Sequence, residues 1–357
     1  MQRVVQTAGQ AAERRSLDTR PVSAHARWRV SPVMACVAWA ALLTGCLEPP
    51  RSGAFEEGPR TPARPPAPAS LTITAAELPA EQLRLGLAPI VAPADMVAQH
   101  RNLAVWLEEA LGVPVVLVVA DSYLDLIDRL LAHTVDLAIL PPATFALARD
   151  RSPAIRLLAS QIAGGATSYS SYIIVRRDAP FEGLQDLRGK RVSLVDEASA
   201  SGFILPWATF LDHGLDPRRD FASVRFAGNH ASAIADVLAG RADAAATYSG
   251  MLDYTRRTAG ATAEAADLRI LHKAGRIPYD ALCAAPGLSA HLDAHITAAF
   301  MAMDTRSARG RHIYAGTSNH VSGWAPPSEQ HYDGIRATMA RVAAHRGQTD
   351  GVSDAAR

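Results

Sequence analysis

From residue 83 onward the chain alternates two kinds of segment. Short runs rich in Leu, Val, Ile and Ala at 83–87, 115–119 and 135–140 read as strands. Stretches at 95–111 and 123–132, where apolar residues recur every three or four positions, read as helices. A helix near 144–149 and a strand near 156–159 complete a first unit. A second unit repeats the alternation, with strands at 172–176, 192–195, 224–226, 242–246 and 268–273 and helices at 201–213, 231–239 and 251–258. Strands separated by helices of this length are the pattern of βαβ units, so the expected fold class is α/β, with mainly parallel sheets flanked by helices.

Beyond residue 273 the pattern changes to helices near 289–303 and 328–344, with too few strands for a third domain. This part is therefore expected to return to the first unit. Lobe 1 would comprise 81–168 and 278–345, lobe 2 would comprise 169–277, and 346–357 would be an unstructured tail. Two chain crossings, near 165–171 and 275–280, would form a two-segment hinge around a cleft that closes on a ligand.

The N-terminal 80 residues break this pattern. An apolar run over 33–46 follows Arg27 and Arg29 and ends in Leu43-Thr44-Gly45-Cys46. It is shorter than the roughly 20 apolar residues a membrane span needs, so 1–45 is expected to be a signal peptide. Thr44 and Gly45 are small enough to permit cleavage before Cys46. In 46–80, prolines at 49, 50, 59, 62, 65, 66 and 68 leave too little apolar surface to bury, and the segment reads as a tether. Of the three cysteines, Cys36 falls in the signal peptide and Cys46 at its end. That leaves Cys283 without a disulfide partner and best placed as a small buried apolar residue. With 36 basic against 35 acidic residues the net charge is +1, which gives no electrostatic footprint for a nucleic-acid partner.

Three short segments carry candidate chemistry. Ser199, Ala200, Ser201 and Gly202 stand after a predicted strand and at the start of a predicted helix. Unpaired N–H groups and the positive end of the dipole make such a position receptive to an anion, and serine hydroxyls add donors; Ser201 as a simple helix cap explains the same pattern. His230 precedes another predicted helix, and Tyr123, after Asp121-Ser122, precedes a third. The pair His291 and His295 has the i, i+4 spacing of a helical metal site, but no third ligand is evident, so no metal is expected.

These segments fall in an order that resembles a family. The landmarks are Ala120-Asp121-Ser122-Tyr123, Val135-Asp136-Leu137-Ala138 running into Leu140-Pro141-Pro142-Ala143, and Ser199 to Gly202 with Pro206 behind it. Gly228-Asn229-His230, Ala242-Asp243-Ala244-Ala245, Ile277-Pro278-Tyr279-Asp280 and Gly323-Trp324 follow. From about 83 to 324 the chain resembles the phosphate/phosphite/phosphonate-binding proteins of ABC importers, whose fold is the type II periplasmic-binding clamshell. The resemblance implies a small phosphorus oxyanion as ligand and an ABC permease and ATPase as partners, with no cofactor, no catalysis and a monomeric state. Its ligand candidates here are Tyr123, Leu140, Ser199, Ala200, Ser201, Gly202 and His230, with Asp280 on the rim. Resemblance to bacterial lipoproteins implies acylation of Cys46, anchoring the protein at the periplasmic side of the inner or outer membrane.

Two departures shape the expected ligand. Ala200 stands where aminophosphonate binders commonly have a threonine, and no carboxylate lies near Ser249-Gly250, where they hold the ligand amine. A plain oxyanion is thus expected over an aminoalkyl phosphonate. The same clamshell also serves as a sensor that feeds a membrane kinase, and some lyases resemble it; export through the signal segment argues against the lyase.

Overall fold

The structure, a computed structural model, describes residues 82–258 and 267–354. The expected signal peptide, lipidated Cys46 and tether lie outside the described residues.

The chain begins with β1 (Leu83–Leu87) and α1 (Pro93–Leu111). Proline at the first turn suits α1, since the missing N–H would be unpaired there, and Gly112 ends it in the left-handed region at φ 71°. Its buried positions Met96, Leu103, Leu107 and Leu111 recur at helical spacing and face the sheet. Next come β2 (Val115–Val119), α2 (Tyr123–Leu131), β3 (Leu137–Leu140), α3 (Pro142–Arg151) and β4 (Arg156–Ala163). The chain then crosses into β5 (Ser168–Arg176), β6 (Arg191–Leu194), a π turn (Ala200–Ile204) continuing as α4 (Leu205–Asp212), and β7 (Ser223–Phe226). After α5 (His230–Leu238), β8 (Ala244–Tyr248), α6 (Ser249–Thr258) and β9 (Leu268–Pro278), it crosses back into β10 (Ala281–Ala284). α7 (Ala290–Ala302), α8 (Ala308–Ile313), β11 (Val321–Ala325) and α9 (Asp333–Asp354) complete it.

Two sheets result, one ordered β11-β4-β10-β3-β1-β2 and the other β7-β6-β8-β5-β9. β1 pairs in parallel with β2 and β3, and β6 pairs in parallel with β7 and β8, as βαβ connections require. The sheets are nevertheless mixed rather than mainly parallel. β10 lies antiparallel between β3 and β4, β11 runs antiparallel to β4, and β5 runs antiparallel to both β8 and β9. Two of these pairings, β4 with β10 and β5 with β9, join the strands that carry the chain from one lobe to the other and back, and these run in opposite directions.

α8 was not expected, β4 and β9 run past their expected ends, and three further differences bear on the fold. β10, Ala-Leu-Cys-Ala, is a four-residue strand, too short for a periodicity signal, yet it is fully buried at the centre of its sheet. β11 is interrupted by Gly323 and pairs with a register shift, so it shows no alternation. α9 does not stop near residue 344 but continues through Asp354, so the expected tail is helical that far. Arg346 extends it, its guanidinium 5.3 Å from the Phe203 ring centre and 2.6 Å from Glu197 Oε1. With Arg341 bonded to Asp212 at 3.0 Å, α9 spans from the first lobe onto α4 of the second.

Candidate ligand-binding site

Four helices start at one small cavity between the two sheets. In α2, Ser122 is the cap, its Oγ accepting from the Asp125 N–H at 3.0 Å, so Tyr123 becomes the first helical residue and turns inward at 1% exposure. α3 starts directly after Pro141. Ser199 holds an extended backbone, and its Oγ accepts from the Gly202 N–H at 3.0 Å; Ser199, not Ser201, is the cap. π turns favour functional positions, and this one leaves Ser201 facing the cavity. Asn229 caps α5 through the Ser232 N–H at 2.8 Å, which puts His230 first in that helix.

Tyr123, Pro141, Ser199, Ser201 and His230 line the cavity from these four starts, and Asp280 faces them. Tyr169, Tyr248 and Asn319 complete the polar wall. Hydrogen bonds join the two lobes around it: the His230 N–H donates to Ile90 O at 3.2 Å, Thr144 Oγ1 to Ala198 O at 3.1 Å, and Tyr248 Oη meets Ser318 Oγ at 2.6 Å.

Among the described residues, no Lys or Arg lines this cavity. Its positive character comes from helix N-termini and neutral donors, which suit a small anion without an ion pair. Burial pushes the His230 imidazole down to about 3, so the ring is neutral; Nδ1 lies 3.3 Å from Thr247 Oγ1 and Nε2 3.5 Å from Ser201 Oγ. The Tyr123 hydroxyl is buried near Ser199 but makes no hydrogen bond of normal geometry, and burial pushes its phenol well above 10. Asp280 is the exception in this donor-rich site. Burial pushes its carboxyl from 3.8 up to about 7.

Five sequence candidates therefore meet, namely Tyr123, Ser199, Ser201, His230 and Asp280. Asp280 is not on the rim but 7% exposed, because it immediately precedes the buried central strand β10. Leu140, Ala200 and Gly202 do not line the cavity. Leu140 is core, with Pro141 taking the lining position, and Ala200 is 1% exposed among apolar neighbours. Gly202 is required for packing: a Cβ there would lie 2.3 Å from Val195 Cβ. Tyr169, Tyr248 and Asn319 escaped sequence reading because each sits at a strand end or in a loop with no local motif. His291 and His295 approach to 3.2 Å through their Nε2 atoms, and among the described residues no group of three or more His, Cys, Asp or Glu side chains is placed to hold a metal. Cys283 is free and fully buried.

A two-lobed α/β clamshell around a small polar cavity is the architecture that solute-binding proteins share. More specifically, residues 85–332 match the family described as ABC transporter, phosphonate, periplasmic substrate-binding protein, and the chain belongs to that family. It is 30% identical over 239 residues to the phosphate-import protein PhnD of Mycolicibacterium smegmatis, covering 64% of this chain and 68% of that protein. The same fold occurs in a binding protein component of an ABC phosphonate transporter from Pseudomonas aeruginosa, with TM-score 0.67, 19% identity, and coverage of 73% of this chain and 87% of that one. It occurs also in PhnD1 of Prochlorococcus marinus in complex with methylphosphonate, with TM-score 0.66, 15% identity, and coverage of 74% and 98%. Family membership makes this chain the periplasmic component of an ABC uptake system.

Proposed function

We propose that the protein captures a small phosphorus oxyanion, phosphate, phosphite or a phosphonate, in this cavity and delivers it to the permease without chemical change. Ser199, Ser201, Tyr123 and the neutral His230 donate to the anion, together with N–H groups at the helix starts. The observation that carries the reading is the buried carboxylate of Asp280, the one carboxylate among the described lining residues, facing the hydroxyls of Tyr123, Ser199 and Ser201 and the neutral His230. Sulfate is fully ionised near neutral pH and brings no proton to such an acceptor. A phosphorus oxyanion that keeps one P–OH donates it to Asp280. Each charge-assisted bond contributes about 1.5–3 kcal/mol, so this one contact is worth tenfold or more in discrimination.

The protein works as a monomer held at the periplasmic face of the membrane by acylated Cys46, with residues 46–80 as the tether. Calorimetric titration of the purified protein with phosphate, phosphite, methylphosphonate and sulfate tests the reading. Saturable 1:1 binding of at least one phosphorus oxyanion, at least tenfold tighter than sulfate, is expected. Absence of saturable binding by all of them, or a preference for sulfate, refutes it.

A further inference from the structure

The serine turn of the second lobe is gripped from outside the cavity by a helix rooted in the first. Just ahead of α9, the Tyr332 hydroxyl donates to Tyr279 O at 3.1 Å, and its ring centre lies 4.5 Å from that of Phe145 in α3. The Arg336 guanidinium covers the same Phe145 ring at 5.8 Å, so the start of α9 is fixed to the first lobe. From residue 341 its charged side chains turn to the second. Arg341 forms a two-pronged pair with Asp212 at the end of α4, Nη1 to Oδ1 at 3.0 Å and Nη2 to Oδ2 at 3.1 Å. His345 Nε2 lies 3.4 Å from Asp216 Oδ2, and Arg218 Nη1 donates to Arg346 O at 3.0 Å.

Arg346 reaches the site itself. Its Nη2 donates at 2.6 Å to Oε1 of Glu197, two residues before Ser199, and its guanidinium lies 5.3 Å from the Phe203 ring centre and 5.8 Å from that of Trp207. One side chain thus holds the chain on both sides of Ser199 and Ser201. A planar guanidinium can pair with a carboxylate in its own plane while lying over an aromatic face. The two rings meet edge to face at 5.2 Å, which fixes the surface it lies on. Neither Arg341 nor Arg346 is among the described residues lining the cavity.

We propose that residues 341–346 of α9 form a strap between the lobes and that Arg346 is a positioning residue for oxyanion binding, holding Ser199 and Ser201 toward the cavity through Glu197, Phe203 and Trp207. This role rests on the oxyanion reading above for what the serines bind. The strap contacts belong to the closed arrangement, and rotating one lobe away from the other breaks them, so they favour the state that encloses the ligand. A different cause, attraction of an anion by a nearby cation, predicts the opposite sign at Glu197. Removing that negative charge strengthens anion binding if the field alone acts, and weakens it if Glu197 holds Arg346 in place.

The test is calorimetric titration of the purified protein with inorganic phosphate and methylphosphonate, at a temperature where circular dichroism shows every variant folded. The variants are Arg346→Ala, Glu197→Gln, the two combined, and Arg341→Ala. Arg151→Ala is the control, because Arg151 pairs with Asp128 wholly within the first lobe at comparable exposure. Exposed ion pairs and cation–π contacts are weak singly, but Arg346 makes three, so Arg346→Ala and Glu197→Gln are each expected to raise Kd about fivefold or more, about 1 kcal/mol. The combined variant should be no weaker than the weaker single one, Arg341→Ala should raise Kd about threefold, and the control should stay within about twofold. An unchanged Kd in either arginine variant, tighter binding by Glu197→Gln, additive losses in the combined variant, or an equal loss in the control overturns the proposal. A lowered Tm with Kd unchanged marks α9 as a brace alone and overturns it too. Binding by the wild type that the variants retain in full removes the strap and leaves the oxyanion reading standing; a wild type that binds neither anion removes both.

Discussion

Replacing Asp280 by asparagine should make the ligand-free protein more stable and a poorer binder. The carboxyl is shifted from 3.8 up to about 7 because it is buried without a described hydrogen bond. Keeping the carboxylate charged in the folded state therefore costs about 4 kcal/mol, at about 1.4 kcal/mol for each tenfold change in proton affinity. The folded protein holds this proton where the unfolded chain has lost it, so the stabilisation is full below about pH 4 and is lost as pH rises to about 7. His230, pushed down to about 3, works oppositely: its contribution is lost as pH falls from 6.5 toward 3. Because His230 is present in both proteins, it cancels in the difference between them. D280N does not titrate, so its advantage over the wild type should be near zero at pH 4 and reach about 4 kcal/mol at pH 8. At about 2–4 °C per kcal/mol, that is a Tm gap of about 8–16 °C by scanning calorimetry without ligand. The same variant should bind a monoprotonated oxyanion about tenfold or more weakly, since an amide cannot replace the acceptor in full. A Tm difference that does not change between pH 4 and pH 8 refutes the account of Asp280.

Three further outcomes follow from the same geometry. Ser199→Ala removes the cap on Gly202 N and a donor to the anion, so unfolding experiments should show a loss of about 1 kcal/mol while titration shows Kd raised tenfold or more; stability loss with unchanged Kd contradicts the second role. Tyr123→Phe removes a buried hydroxyl that has no partner in the free protein, so stability should hold or rise by up to about 1 kcal/mol while oxyanion affinity falls about tenfold, and an unchanged affinity refutes its donor role. Cys46→Ser should move the protein from the membrane to the soluble fraction on cell fractionation; continued membrane association contradicts the acyl anchor.

How much of this was legible in the sequence depends on the element. β1 and β2 are short apolar runs and α1 repeats apolar residues at helical spacing, and all three match expectation at or within two residues of their ends. β10 and β11 were invisible because a four-residue buried strand and a glycine-interrupted one present no period. That omission also hid the mixed character of the first sheet, since both strands supply antiparallel pairings there; in the second sheet the strands were read but not the direction of β5. At the site, helix starts were the readable feature, and Tyr123, Ser199, Ser201 and His230 all came from them. Asp280 was found but placed wrongly, because its burial depends on β10. Tyr169, Tyr248 and Asn319 depend on how two lobes close, a property of tertiary packing that no local spacing encodes.

The most direct test of the central claim is a crystal structure of the protein soaked with phosphite or methylphosphonate. The account predicts one oxyanion enclosed between the lobes, within hydrogen-bond distance of Ser199, Ser201, Tyr123 and His230, with an acidic oxygen turned to Asp280. An empty cavity with the anion bound elsewhere, or an oxyanion held by Lys or Arg side chains on the surface, would contradict it.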